Sequence, residues 1–177
     1  GITLVISPLI SLMKDQVDAL NKKGTKVEQA YTATDLCKKA GIETLGYFMI
    51  GNPGETEQDA LETIKLAKNL ALDYAGFGVT IAYPNTEIFH WAVQNNCLED
   101  KQWYMKENDI NISANTINKI GGGSLNRKEF PIERQIELCK RATKEFYLRP
   151  SYVFKKVAKI RSFNDVARNV KAVLEIV

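Results

Sequence analysis

The stretch TLGYFMIGNPGET, residues 44–56, decides the fold class. Thr44 to Ile50 is a continuous apolar run without polar alternation. It is too short for a buried helix and suits a strand covered on both faces of a parallel sheet. The run ends in GNPGET (51–56), where glycine and proline supply a tight turn. Thr56 and Asp59 then have the spacing of a capping box, which satisfies two orphan amides at a helix start. Leu61, Ile64, Ala67 and Leu70 follow at helical spacing and predict the buried side of that helix.

The same unit repeats on either side. Upstream, ITLVI (2–6) reads as a buried strand that Ser7 and Pro8 end. Leu9, Leu12, Met13, Val17 and Leu20 continue at three- and four-residue spacing, and Pro8 suits the first turn of their helix. A second helix is predicted over about 27–39, with Val27, Ala30, Tyr31, Ala33 and Cys37 inward and Gly41 as its cap. Downstream, YAGFGVTIA (74–82) is a further strand ending at Tyr83, Pro84, Asn85 and Thr86, with a helix over about 87–95. Alternating strands and helices of this kind make an α/β fold with parallel strands. Between Cys97 and Glu129 the periodicity fades, and IGGGSLNR (120–127) reads as a flexible loop. Helices return over about 131–148, 151–161 and 164–177, giving a C-terminal helical extension.

Composition narrows the class without naming a function. The chain has 177 residues, 45% of them hydrophobic and 25% charged, which is enough for a real core and excludes a disordered chain. Its net charge is only +3, but Lys140 to Val177 holds ten basic and three acidic residues. Such a tail reads as the solvated face of terminal helices, or as a surface facing phosphate or an anionic membrane. No apolar run reaches the roughly 18 residues of a membrane span. Gly1 opens directly on a strand-like run, without a signal peptide. Cys37, Cys97 and Cys139 lie too far apart for a disulfide framework or a metal set by spacing, and a reducing cytoplasm suits them.

Ligands of parallel sheets bind at the carboxyl ends of the strands. Of the turns there, GNPGET is the best candidate. Gly51 and Gly54 permit close backbone approach, and the helix start after them offers free N–H groups to an anion. The alternative is a tight βα turn with a good cap, in which Glu55 is simply an acidic residue favoured near a helix start. GGGS (121–124) lacks the lysine ending and preceding strand of a phosphate loop. His90 stands alone beside Trp91, so no Ser-His-Asp set can form, and Trp91, Trp103 and Tyr104 suit packing better than ligand stacking.

Two resemblances meet near residue 20. VISPLISLMKDQVDAL (5–20) resembles a motif of RecQ-family DNA helicases, covering about residues 1–24. It implies contact with single-stranded nucleic acid near Ser7, with Lys14 and Gln16 contributing. No ATP-binding loop or acidic box accompanies it, and a motor needs both. From about Asn21, three stretches look like the C-terminal half of a radical SAM enzyme: NKKGTKVEQAYTATDLCKKAGIETLGYFMIGNPGET (21–56), LDYAGFGVTIAYPNTEIF (72–89) and EFYLRPSYVFKK (145–156). The best-matching class is the cobalamin-binding iron–sulfur oxidoreductases and methyltransferases.

That resemblance implies a partial (β/α) barrel-like parallel sheet of about three strands. Around an S-adenosylmethionine adenine it would place Phe48, Ile50, Gly51, Pro53, Gly54 and Glu55, with Ala82, Tyr83 and Pro84 closing the pocket. Asn52 and Asn85 depart from the leucine and glycine usual there, the second mildly, since asparagine tolerates a left-handed turn. The C-x-x-x-C-x-x-C motif that would hold a [4Fe–4S] cluster is absent, as is a cobalamin domain. The implied organisation is a chimera or a fragment: a helicase-like strand and helix over 1–24, a half barrel over 25–96, and a loop with helical extension over 97–177. It implies no radical chemistry and no retained cofactor from this chain alone. An open sheet edge would favour self-association or a chain supplying the missing half barrel.

Overall fold

Thr44–Ile50 forms the central strand, β2, of a three-stranded parallel sheet. In the computed structural model, which describes residues 4–6, 27–102 and 123–158, β1 (Leu4–Ile6) and β3 (Tyr74–Val79) flank it. Leu4 lies opposite Thr44, and Leu45 opposite Tyr74. Among the described residues, spatial order follows chain order, β1-β2-β3, without the reversal that marks a doubly wound sheet. The fold is therefore α/β, with a barrel-like run of three parallel strands and helices following it.

The helices are α1 (Val27–Lys39), α2 (Glu57–Asn69), α3 (Glu87–Gln94), α4 (Ile132–Tyr147) and α5 (Pro150–Ala158). Residues of α1, α2 and α4 pack with Phe48, Ile50, Phe77 and Val79 into one main core. Phe48 stacks on Phe77 at 5.2 Å, and Phe146 of α4 meets Phe77 edge-on at 6.3 Å. The capping box forms as its spacing predicts: Thr56 N–H donates to Asp59 Oδ2 at 2.8 Å, and Asp59 N–H to Thr56 Oγ1 at 3.3 Å. α1 presents the predicted face except at its start: Ala30 and Tyr31 pack against the main core. Thr34 and Cys37 are its buried residues, while Val27 is 43% exposed. Thr34 tolerates burial because its hydroxyl bonds back to the Ala30 carbonyl at 2.9 Å.

Three expectations are corrected. β2 is not covered on both faces: Phe48 and Ile50 are buried, but Tyr47 and Met49 are 51% and 44% exposed. Among the described residues the packed helices lie on the Phe48 side alone. The strand predicted over 74–82 stops at Val79, and Ile81 instead makes an isolated antiparallel bridge to Ser124. The stretch 123–127 is not a free loop. Leu125 is fully buried in a second cluster with Ala82, Ala92, Cys97 and Leu98, and the Asn126 N–H donates to the Cys97 carbonyl at 2.8 Å. The helices expected over 9–20 and 164–177 fall outside the described residues. No helix among the described residues is long and apolar enough to cross a membrane.

Candidate functional site

Chain direction places the carboxyl ends of β2 and β3 side by side, so the turns at 51–56 and 82–86 share one end of the sheet. Gly51 adopts φ 94° and Gly54 φ 76°, the left-handed region where a side chain is strained. The Glu55 N–H closes the turn on the Asn52 carbonyl at 3.0 Å. The Glu55 side chain then folds back into its own turn. Its Oε2 accepts the Gly51 and Asn52 N–H groups at 2.6 and 2.7 Å.

Residues remote in sequence brace this turn. Thr80, just past β3, donates its hydroxyl to Asn52 Oδ1 at 2.8 Å. Arg127 donates from Nη2 to the Glu55 carbonyl at 2.7 Å. Gln135 of α4 donates from Nε2 to the Leu125 and Phe130 carbonyls, each at 2.8 Å. A Cβ built on Gly51 would sit 2.0 Å from Gln135 Oε1, so only glycine fits under that amide. Four buried polar atoms of the cluster find no partner among the described residues: Asn52 Nδ2, Glu55 Oε1, Arg127 Nε and Gln135 Oε1.

Burial dominates the electrostatics. It pushes the Glu55 carboxyl up to about 7, against the downward pull of the Asn52 and Gly51 amides and of Arg127, with Asp59 adding a smaller push upward. Arg127 is lowered by burial, and the Glu55 charge opposes that. Burial also pushes the Cys139 thiol on α4 up to about 12, with Glu55 adding to the effect, so it stays protonated.

The candidate residues fall into separate places. Phe48 and Ile50 lie in the main core, beneath the sheet face that the helices cover. Gly51, Pro53 and Glu55 are buried in the turn, and Gly54 is exposed. Ala82 is fully buried in the second cluster, Pro84 is half-buried, and Tyr83 is 56% exposed. Asn85 takes the left-handed conformation expected of it, at φ 64°. His90 is exposed on α3 with its ring 6.2 Å from that of Phe89. Ser7, Lys14, Gln16, Trp103 and Tyr104 lie outside the described residues.

Sequence reasoning missed Thr80, Arg127 and Gln135, since nothing local marks a side chain whose partner is tens of residues away. It also missed Tyr47 and Met49, which a two-residue alternation through β2 would have separated from Phe48 and Ile50. Cys37, Cys97 and Cys139 are free, buried and on different elements. Among the described residues no group of three or more His, Cys, Asp or Glu gathers to hold a metal. These side chains do not fit an iron–sulfur cluster.

No family model matches the chain. It is 32% identical over 154 residues to an uncharacterized methyltransferase of Pyrococcus horikoshii, a match covering 87% of this chain and 31% of that protein. It is 23% identical over 104 residues to the bacteriochlorophyllide d C-8(2)-methyltransferase of Chlorobaculum tepidum, covering 58% of this chain and 23% of the relative. The chain thus spans under a third of the length of either relative. Both are methyltransferases by name, and they overturn the resemblance to a radical SAM half barrel joined to a RecQ-like segment.

Proposed function

We propose that this chain is part of an S-adenosylmethionine-dependent methyltransferase, and that the carboxyl ends of β2 and β3 contribute to its donor site. The observation that carries this reading is the likeness to methyltransferases across 154 of 177 residues, a span that takes in both turns wherever it begins. The donor, when bound, supplies a methyl group activated on a sulfonium sulfur.

The residues here suit its flat, weakly polar adenine. Tyr47 registers with Gly76 and Met49 with Gly78, so two exposed apolar side chains stand beside a glycine floor. A Cβ on Gly78 would meet nothing within 4 Å, which leaves that floor open to a ring. Tyrosine and methionine both make favourable contacts with aromatic faces. Main-chain groups of Gly54 and of the Tyr83 to Asn85 turn edge the same end of the sheet. Glu55, Phe48 and Ile50 act from beneath: they hold the turn and strand in place rather than offering side chains to the donor.

Calorimetric titration of S-adenosylhomocysteine into the chain tests this reading. Saturable binding is expected, weakened about fivefold in Tyr47→Ala by loss of a stacking contact of order 1 kcal/mol. Tyr47 is half exposed, so the variant should fold. Absence of saturable binding, or equal binding by Tyr47→Ala and Met49→Glu, would overturn it.

A further inference from the structure

The turn at 51–55 holds a second device, which stands whether or not a methyl donor binds there. Gln135 commits both amide hydrogens to carbonyls, of Leu125 and Phe130. Its orientation is therefore fixed, because the other end of the amide cannot serve two acceptors. Oε1 must then point at Gly51, where it is fully buried and unpartnered among the described residues. At the amide of the same glycine, Glu55 spends Oε2 on the Gly51 and Asn52 N–H groups and leaves Oε1 buried and unpartnered among the described residues. Two unpartnered acceptor oxygens thus belong to side chains that both meet Gly51, and one proton shared by them would satisfy both.

We propose that Glu55 and Gln135 form a proton-operated latch at Gly51. With the carboxyl protonated, Oε1–H donates to Gln135 Oε1 and ties the turn to α4. With it ionised, that bond is gone, and Oε1 turns to the free donors Asn52 Nδ2 and Arg127 Nε. The proton comes from solvent and returns to it.

The charges around the latch favour the neutral form near neutrality. Among the described residues Arg127, from the 123–130 segment, is the one cation acting on Glu55, and its guanidinium is already engaged with the Glu55 carbonyl. Asp59 of α2 opposes ionisation. From α4, Cys139 is a protonated thiol, and Arg134 is occupied by Glu57 and Glu137. Burial outweighs the two amide bonds and Arg127 together.

Titration of the carboxyl carbon of Glu55 by nuclear magnetic resonance, in the whole chain, tests the latch. A midpoint near 7 is expected, with the Gly51 amide shift moving at the same pH. Gln135→Met removes the acceptor and should lower the midpoint by about one unit or more. A midpoint at the ordinary carboxylate value, or one that Gln135→Met leaves unmoved, overturns the proposal. Should Gln135→Met not fold, Glu55→Gln decides: its amide mimics the protonated acid and can donate to Gln135 permanently. Its melting temperature should match wild type on the acid side and exceed it above about pH 7. A variant less stable than wild type at every pH overturns the latch.

Discussion

The two turns at the carboxyl end of the sheet are built alike and held differently. Both follow a strand, both contain a proline, and both end in a threonine that caps a helix, Thr56 for α2 and Thr86 for α3. The first turn is buried, and side chains from three other places converge on it: Thr80, Arg127 and Gln135. The second is largely exposed and closes on itself, with Thr86 Oγ1 donating to the Tyr83 carbonyl at 2.7 Å and accepting from the Phe89 N–H at 3.2 Å. A turn braced from outside can hold a buried acid. A turn held by its own cap leaves side chains such as Tyr83 more than half exposed.

The largest break in this contrast should come from Gly51→Ala. The new methyl group meets Gln135 Oε1 and the backbone stays at φ 94°, so a loss of about 3 kcal/mol or more is expected in urea unfolding. The equivalent change in the second turn, Asn85→Gly, should be nearly neutral, because Asn85 already tolerates its left-handed conformation.

Next comes pH. Glu55 has a folded-state value raised from 4.5 to about 7, so the folded chain binds more protons than the unfolded one across that window. Its contribution is present below the unfolded value and is lost as pH rises through about 7. Melting temperature should therefore fall between about pH 5 and about pH 8, with an effect on the order of 2–3 kcal/mol, and Glu55→Gln should flatten the curve. Glu145, lowered by Lys68 and Arg141, works in the opposite sense, but only at pH below the ordinary carboxylate range. The smallest effect is expected from Thr86→Ala, about 1 kcal/mol for loss of a cap, with no change in pH dependence. A pH slope altered by Thr86→Ala would show that the two turns are coupled.

Much of the frame was legible in the residues themselves. The apolar run 44–50, the Thr56 and Asp59 spacing and the left-handed Asn85 each rest on chemistry within a few residues, and each appears as that chemistry requires. The helix expected over about 131–148 likewise appears, as α4. Local preference acts over one or two turns of chain, so sequence reports it directly.

Tertiary structure alone decided which side of β2 stays open: strand geometry puts Tyr47 and Phe48 on opposite faces, but an unbroken apolar run does not say which face is covered. It also decided that Glu55 turns inward. The turn it closes lies under an amide 80 residues along the chain, at Gln135, and its own carbonyl is held by a guanidinium 72 residues along it, at Arg127. Neither partner is marked by its own neighbours in sequence. Burial then gives the carboxyl its unusual acidity, and burial is a property of the assembled fold, which no short stretch of the chain possesses.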